Sequence, residues 1–88
     1  MGSIIPSVGG PEDILDAARR NPRNVRFTDL VRLLKSLGFE LRRTAGSHHI
    51  YKAAGLPLVN LQEVGGKAKP YQVRQVLALV DQYKLEVK

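Results

Sequence analysis

The stretch Phe27–Lys52, FTDLVRLLKSLGFELRRTAGSHHIYK, carries two hydrophobic periods in succession, and the switch between them decides the fold. Leu30, Leu33, Leu34 and Leu37 recur at i, i+3, i+4 and i+7, which makes one continuous apolar face of a helix. Thr28 is placed to cap its start, with Asp29 in the first turn. Gly38 ends it, because glycine enters the left-handed conformation without a Cβ clash, and Phe39 then falls where a contact back to Leu34 is expected. Beyond Phe39 the pattern becomes short extended runs. Glu40–Thr44 and Ser47–Ala53 flank Ala45-Gly46 and together read as a β-hairpin.

Working outward, Ala54-Gly55 turns the chain into an apolar third strand, Pro57–Gln62, whose proline fits only a strand start or an edge. Glu63–Lys69 reads as a Gly/Lys-rich loop. A last helix follows, with Pro70 near its first position and Val73, Val76, Leu77 and Val80 at helical spacing. The order α-β-β-β-α predicts an α+β fold: a three-stranded antiparallel sheet with two helices on one face, the other face left open. Upstream, residues 11–20 predict a short additional helix, with Pro11 in the first turn, Glu12 and Asp13 at the positive end, and Asn21-Pro22 as the stop. Residues 1–10 show no periodicity and read as disordered. The chain thus divides into an N-terminal extension, 1–24, partly disordered, and one domain, 25–88.

Eighty-eight residues suit a single domain, and the absence of cysteine excludes a disulfide framework or a thiolate zinc site. No apolar run approaches the ~18 residues of a membrane span and no signal pattern opens the chain, so a soluble cytoplasmic protein without membrane contact is expected. The net charge is +6. Residues 1–24 contribute none of it, since Glu12, Asp13 and Asp16 balance Arg19, Arg20 and Arg23; residues 25–88 hold eleven basic side chains against five acidic ones. Such a surface favours polyanions, because each neutralised phosphate releases counterions, although a solvated basic face serves solubility as well.

The chemistry-bearing inventory is short. His48 and His49 are the chain's two histidines, adjacent on the second strand. Strand side chains alternate, so Ser47, His49 and Tyr51 share one face and His48, Ile50 and Lys52 the other. With Ile50 as the most apolar of the set, His48 is expected on the packed face and His49 on the open one; if Tyr51 is the core residue instead, the faces exchange. Diverging histidines with no third ligand do not chelate a metal. Histidine does take and give protons near neutrality, which suits it to deprotonating a ribose 2′-hydroxyl. Of Arg42 and Arg43 on the hairpinned strand, whichever shares the face of His49 would contact the RNA backbone and offset charge on the reacting phosphate. Gly65-Gly66-Lys67-Ala68-Lys69, directly before a helix, offers glycines, free N–H groups and two lysines as a second phosphate site, without the spacing of a nucleotide-binding P-loop. Lys52 and Arg74 complete the expected phosphate-binding set.

The segments FTDLVRLLKSLGFELRRTAGSHHIYK and VNLQEVGGKAKPYQVRQVLALVDQY together resemble HicA-type toxins of bacterial toxin–antitoxin pairs, over roughly residues 25–84. The shared pattern is a helix ending Leu-Gly-Phe, a short strand, Gly-Ser-x-His, a Gly-Lys loop and a final helix. The resemblance implies a double-stranded-RNA-binding-domain-like fold, endoribonuclease activity on mRNA without metal or other cofactor, and inhibition by a HicB-type antitoxin protein. It implies that His49, the histidine after Gly46-Ser47-His48, is catalytic, and that Lys67 and Lys69 match the helix-start lysines that grip phosphates. Many family members end the third strand with a Pro-x-His-like segment, where this chain has Leu61-Gln62. A non-catalytic RNA-binding module of the same fold is the competing expectation, followed by a protein whose basic face meets only an acidic protein.

Overall fold

The computed structural model describes residues 9–88. The disorder expected over residues 1–10 falls, for residues 1–8, outside this range. The elements are α1 Pro11–Arg20, α2 Phe27–Ser36, β1 Glu40–Ala45, β2 His48–Lys52, β3 Val59–Val64, β4 Lys67–Ala68 and α3 Pro70–Tyr83. The four strands form one antiparallel meander in the order β1-β2-β3-β4.

One expectation is corrected here and one is met. The sheet has four strands rather than three, because the Gly/Lys-rich segment read as a loop contains β4. Gly65 and Gly66 lie at φ +59° and +79°. Positive φ at both central residues is what a two-residue type I′ hairpin requires, and it folds Lys67 and Ala68 back onto Val64 and Glu63. The short helix expected over residues 11–20 is present as α1, so the helical layer has three members. α1 buries Ile14 and Ala18 in the same core as α2 and α3. The three-strand, two-helix layout of a double-stranded-RNA-binding domain is therefore not reproduced as such.

α2 ends as its sequence requires. Gly38 stands at φ +100°, its N–H donates to the Lys35 carbonyl at 3.1 Å, and the Phe39 N–H donates to the Leu34 carbonyl at 3.0 Å. This is the paired hydrogen-bond pattern of a Schellman stop. The start of α2 differs from expectation: Arg26 occupies the N-cap and Thr28 already lies inside the helix.

The core gathers Leu30, Leu33 and Leu34 of α2, Val73, Val76 and Val80 of α3, and Tyr51, Val59 and Leu61 of the sheet. Val59 and Leu61 alternate with Asn60 and Gln62, so β3 has one unambiguous packed face. Register transmits that face to β2, where Tyr51 pairs with Val59 and His49 with Leu61. The packed-face assignment of β2 is thereby reversed from the preferred sequence reading: Tyr51 is 3% exposed, and Ile50 lies on the open face with Asn60. The buried ring outweighs isoleucine because it removes more apolar surface from water. Burial also pushes the Tyr51 hydroxyl pKa up.

Two polar devices join the layers. Beyond the short β4, the edge of β3 lacks a strand partner, and the Gln62 N–H donates instead to Gln72 Oε1 of α3 at 2.8 Å. Gln72 is the one buried polar residue among those described. Arg19 of α1 holds Asp81 of α3 through two hydrogen bonds, Nη2 to Oδ1 at 2.8 Å and Nη1 to Oδ2 at 3.2 Å. The Arg19 guanidinium keeps the Asp81 carboxyl below its ordinary value.

Replacing Gln72 with Leu keeps the volume but strands the Gln62 N–H, and should cost about 1–3 kcal/mol in urea unfolding. The Asp81 carboxyl titrates lower in the folded chain than in the unfolded one. Its contribution is therefore present above the unfolded value of roughly 3.9 and lost as pH falls through the folded one. Thermal midpoints of wild type and Asp81→Asn should differ at neutral pH and converge in strong acid.

Candidate active site

Two hairpin loops and two helix starts meet at one end of the domain. Gly46, at φ +62°, opens the β1–β2 loop in the conformation that a two-residue loop with a leading glycine uses, and β2 begins immediately with His48 and His49. The β3–β4 turn lies at the same end of the sheet. There the Phe27 N–H donates to the Gly66 carbonyl at 3.0 Å and the Ala68 N–H donates to the Val25 carbonyl at 3.0 Å. An isolated bridge joins Arg26 to Lys67. The segment before α2 thus runs along β4 like a further strand and delivers the first turn of α2 to the sheet.

That delivery creates the surroundings of His49. The imidazole is half-buried on the packed face, its ring 5.0 Å from the Phe27 ring and tilted by 54°. Its cross-strand partners are Thr44 on β1 and Leu61 on β3. An aromatic wall and a buried leucine restrict the ring, while its partial exposure leaves it open to a ligand. His48 points the other way. It is exposed on the open face, with Nδ1 3.2 Å from Asn60 Oδ1, an oxygen that only accepts. The two histidines therefore have the reverse of the expected faces, His49 being packed and His48 open.

The electrostatics of this end are unusual in one respect. Arg26 is the N-cap of α2 and Lys69 the N-cap of α3, and neither helix has a side-chain cap. N-caps favour Ser, Thr, Asp or Asn, and a cation there opposes the positive end of the helix dipole. α2 keeps Asp29 in its first turn, lining one pocket with Arg26 and Lys67, whereas α3 has no acidic residue in its first turn to compensate. α1 follows the opposite rule, with Glu12 and Asp13 in its first turn. Lys67, bridged to Arg26, adds a third cation. An arrangement that works against the bare protein is relieved by an anion.

Of the residues expected to bind phosphate, Lys67 and Lys69 lie at the His49 end. Arg43 pairs with Ile50 and so stands on the open face, across the sheet from His49. Arg42 is the additional residue of a β-bulge between Leu41 and Arg43, exposed and without a cross-strand partner. The residue of β1 directly opposite His49 is Thr44, not either arginine. Lys52 is at the far end of β2, where its Nζ donates to the Leu56 carbonyl. Arg74 lines a groove with Arg19, Leu77, Ala78 and Asp81 on the helical side. Arg26, Phe27, Tyr71 and Gln72 of this end escaped the sequence reading. The signal available for Arg26 was a basic residue directly before a strong helical pattern.

No group of three or more His, Cys, Asp or Glu side chains able to hold a metal occurs among the described residues, and no helix there is long and apolar enough to cross a membrane. The family described as HicA toxin of bacterial toxin-antitoxin matches residues 27–81, which is most of the chain. The chain belongs to the HicA toxin family. No curated protein and no solved structure shows a significant match to it. The matched HicA segment runs from the Phe27 that packs on His49 to the Asp81 that anchors α1, so the cationic helix starts at Lys69 and just before Phe27 lie within or at its edge.

Phe27→Leu removes the ring current and leaves a smaller apolar side chain, at a cost below the roughly 3–5 kcal/mol of a Phe→Ala truncation. In NMR spectra the ring-proton resonances of His49 should move and those of His48 should stay. Unmoved His49 resonances would contradict the contact.

Proposed function

We propose that this HicA-family chain is the toxin of a type II toxin–antitoxin pair and an endoribonuclease acting on mRNA, with His49 as general base. The observation that carries the reading is a half-buried imidazole braced by Phe27 at the end of the domain where Arg26, Lys67 and Lys69 surround two helix starts without side-chain caps. Cations and free helix N–H groups suit the RNA backbone, and the braced imidazole suits proton transfer beside it.

In this reading, neutral His49 accepts the proton of a ribose 2′-hydroxyl. The 2′-oxygen bonds to the adjacent phosphorus, the bond from phosphorus to the 5′-oxygen breaks, and the departing oxygen takes a proton from water. The products are a 2′,3′-cyclic phosphate and a 5′-hydroxyl, and His49 returns its proton to solvent. The ribose supplies the nucleophile, so the chemistry needs neither a protein nucleophile nor a metal. Lys67, Lys69 and Arg26 offset the charge that gathers on the phosphoryl oxygens. A HicB-type antitoxin would inhibit by covering this end, its acidic side chains placed against the cluster.

His49→Ala should lower cleavage of labelled RNA in EDTA by about 10²–10⁴-fold and relieve growth arrest. His48→Ala, altering the opposite face, should cut normally. Wild-type cleavage by His49→Ala would sink the mechanism. Salt-sensitive RNA binding without any cleavage by the wild-type chain would make it a binding module instead.

A further inference from the structure

We infer that Tyr71 is a stacking platform for one unpaired base, so that the site takes single-stranded RNA; this rests on the ribonucleolytic reading above. Tyr71 is 59% exposed, at the second position of α3, next to Lys69. Its hydroxyl is tethered. Gln72 Nε2 donates to Tyr71 Oη at 3.4 Å, and Gln72 Oε1 accepts the Gln62 N–H at 2.8 Å. Gln62 pairs across the sheet with His48, and its neighbour Leu61 pairs with His49. A buried amide therefore ties the phenol to the strand end beside the candidate base, while the ring itself meets solvent. Tyr83, the other exposed tyrosine, lies at the opposite end of α3 beside the C-terminal tail.

An apolar ring held in place but uncovered, within a basic surface, fits a nucleobase better than it fits phosphate or ribose. Every base has a π-face, so such stacking tolerates sequence. In A-form duplex those faces are occupied by neighbouring bases, and the ring would find none. The attack of a 2′-oxygen also requires it to stand in line with the departing 5′-oxygen, which regular A-form geometry does not allow. A base drawn out onto Tyr71 leaves its ribose free to rotate into line beside His49.

The test uses the His49→Ala chain as a non-cleaving parent and measures Kd for a single-stranded oligoribonucleotide and for its duplex. Adding Tyr71→Ala should weaken single-strand binding roughly 5- to 150-fold, and Tyr71→Phe should retain most of it. Tyr71→Ala should leave the slope of log Kd against log salt unchanged, because stacking releases no counterions, whereas Lys67→Ala should reduce it by about one phosphate contact. Unchanged affinity in Tyr71→Ala, or a parent that prefers duplex, overturns the inference and leaves His49 catalysis standing. Cleavage-competent His49→Ala overturns the underlying mechanism instead, and the same Kd comparison is then made with a 2′-O-methyl oligonucleotide, which lacks the attacking hydroxyl.

Discussion

Two backbone hydrogen bonds, from the Phe27 N–H to the Gly66 carbonyl and from the Ala68 N–H to the Val25 carbonyl, hold the start of α2 against the β3–β4 hairpin. Neither forms unless the chain reverses within Gly65-Gly66, and that reversal needs two consecutive residues with positive φ. From this contact the rest follows. It sets Phe27 over His49, brings Arg26 beside Lys67, and closes the edge of β4 that would otherwise stand unpaired. β4 can be as short as two residues because the segment before α2 covers one side of it and Gln72 completes β3 beyond it.

The same contact concentrates charge. Two helices begin within one region and each has a cationic N-cap, although the local rule at a helix start favours a small polar or acidic side chain. α1, which starts beside Val87 and Lys88, obeys the rule with Glu12 and Asp13, and α2 carries Asp29 in its first turn. Local propensity is set aside at the two N-caps, and at α3 through its whole first turn, where, on the reading proposed here, an RNA backbone supplies negative charge. The Arg19–Asp81 pair on the outer helical side has the opposite character: it is exposed, internally neutralised and holds α1 to α3.

The histidine pair shows how far local patterning reaches. Period-2 alternation separated His48 from His49 correctly, since the two do occupy opposite faces. Which face was packed could not be settled within β2, where Ile50 and Tyr51 compete with similar apolar claims. The answer lay in β3, whose Val59 and Leu61 alternate with Asn60 and Gln62 without ambiguity. Carrying that parity across to β2 needs the register, and the connection from Ala53 to Leu58 is too long for its length to specify one. A different slip hid the partner of His49 on β1: the hairpin loop is Gly46-Ser47 rather than Ala45-Gly46, and that one-residue change sets Thr44 rather than an arginine opposite it.

The amino-acid order alone determined α2 and α3, the Gly38 stop, the β1–β2 hairpin and the α+β class, because each rests on contacts between residues near in sequence. It also carried, through Gly-Ser-x-His and its setting, the HicA resemblance that the family match over residues 27–81 bears out. Only the tertiary structure decided the fourth strand, the packed side of the sheet, and the meeting of Arg26, Phe27, His49, Lys67 and Tyr71. Those depend on strand register and on two backbone hydrogen bonds between segments some forty residues apart, which no local period encodes.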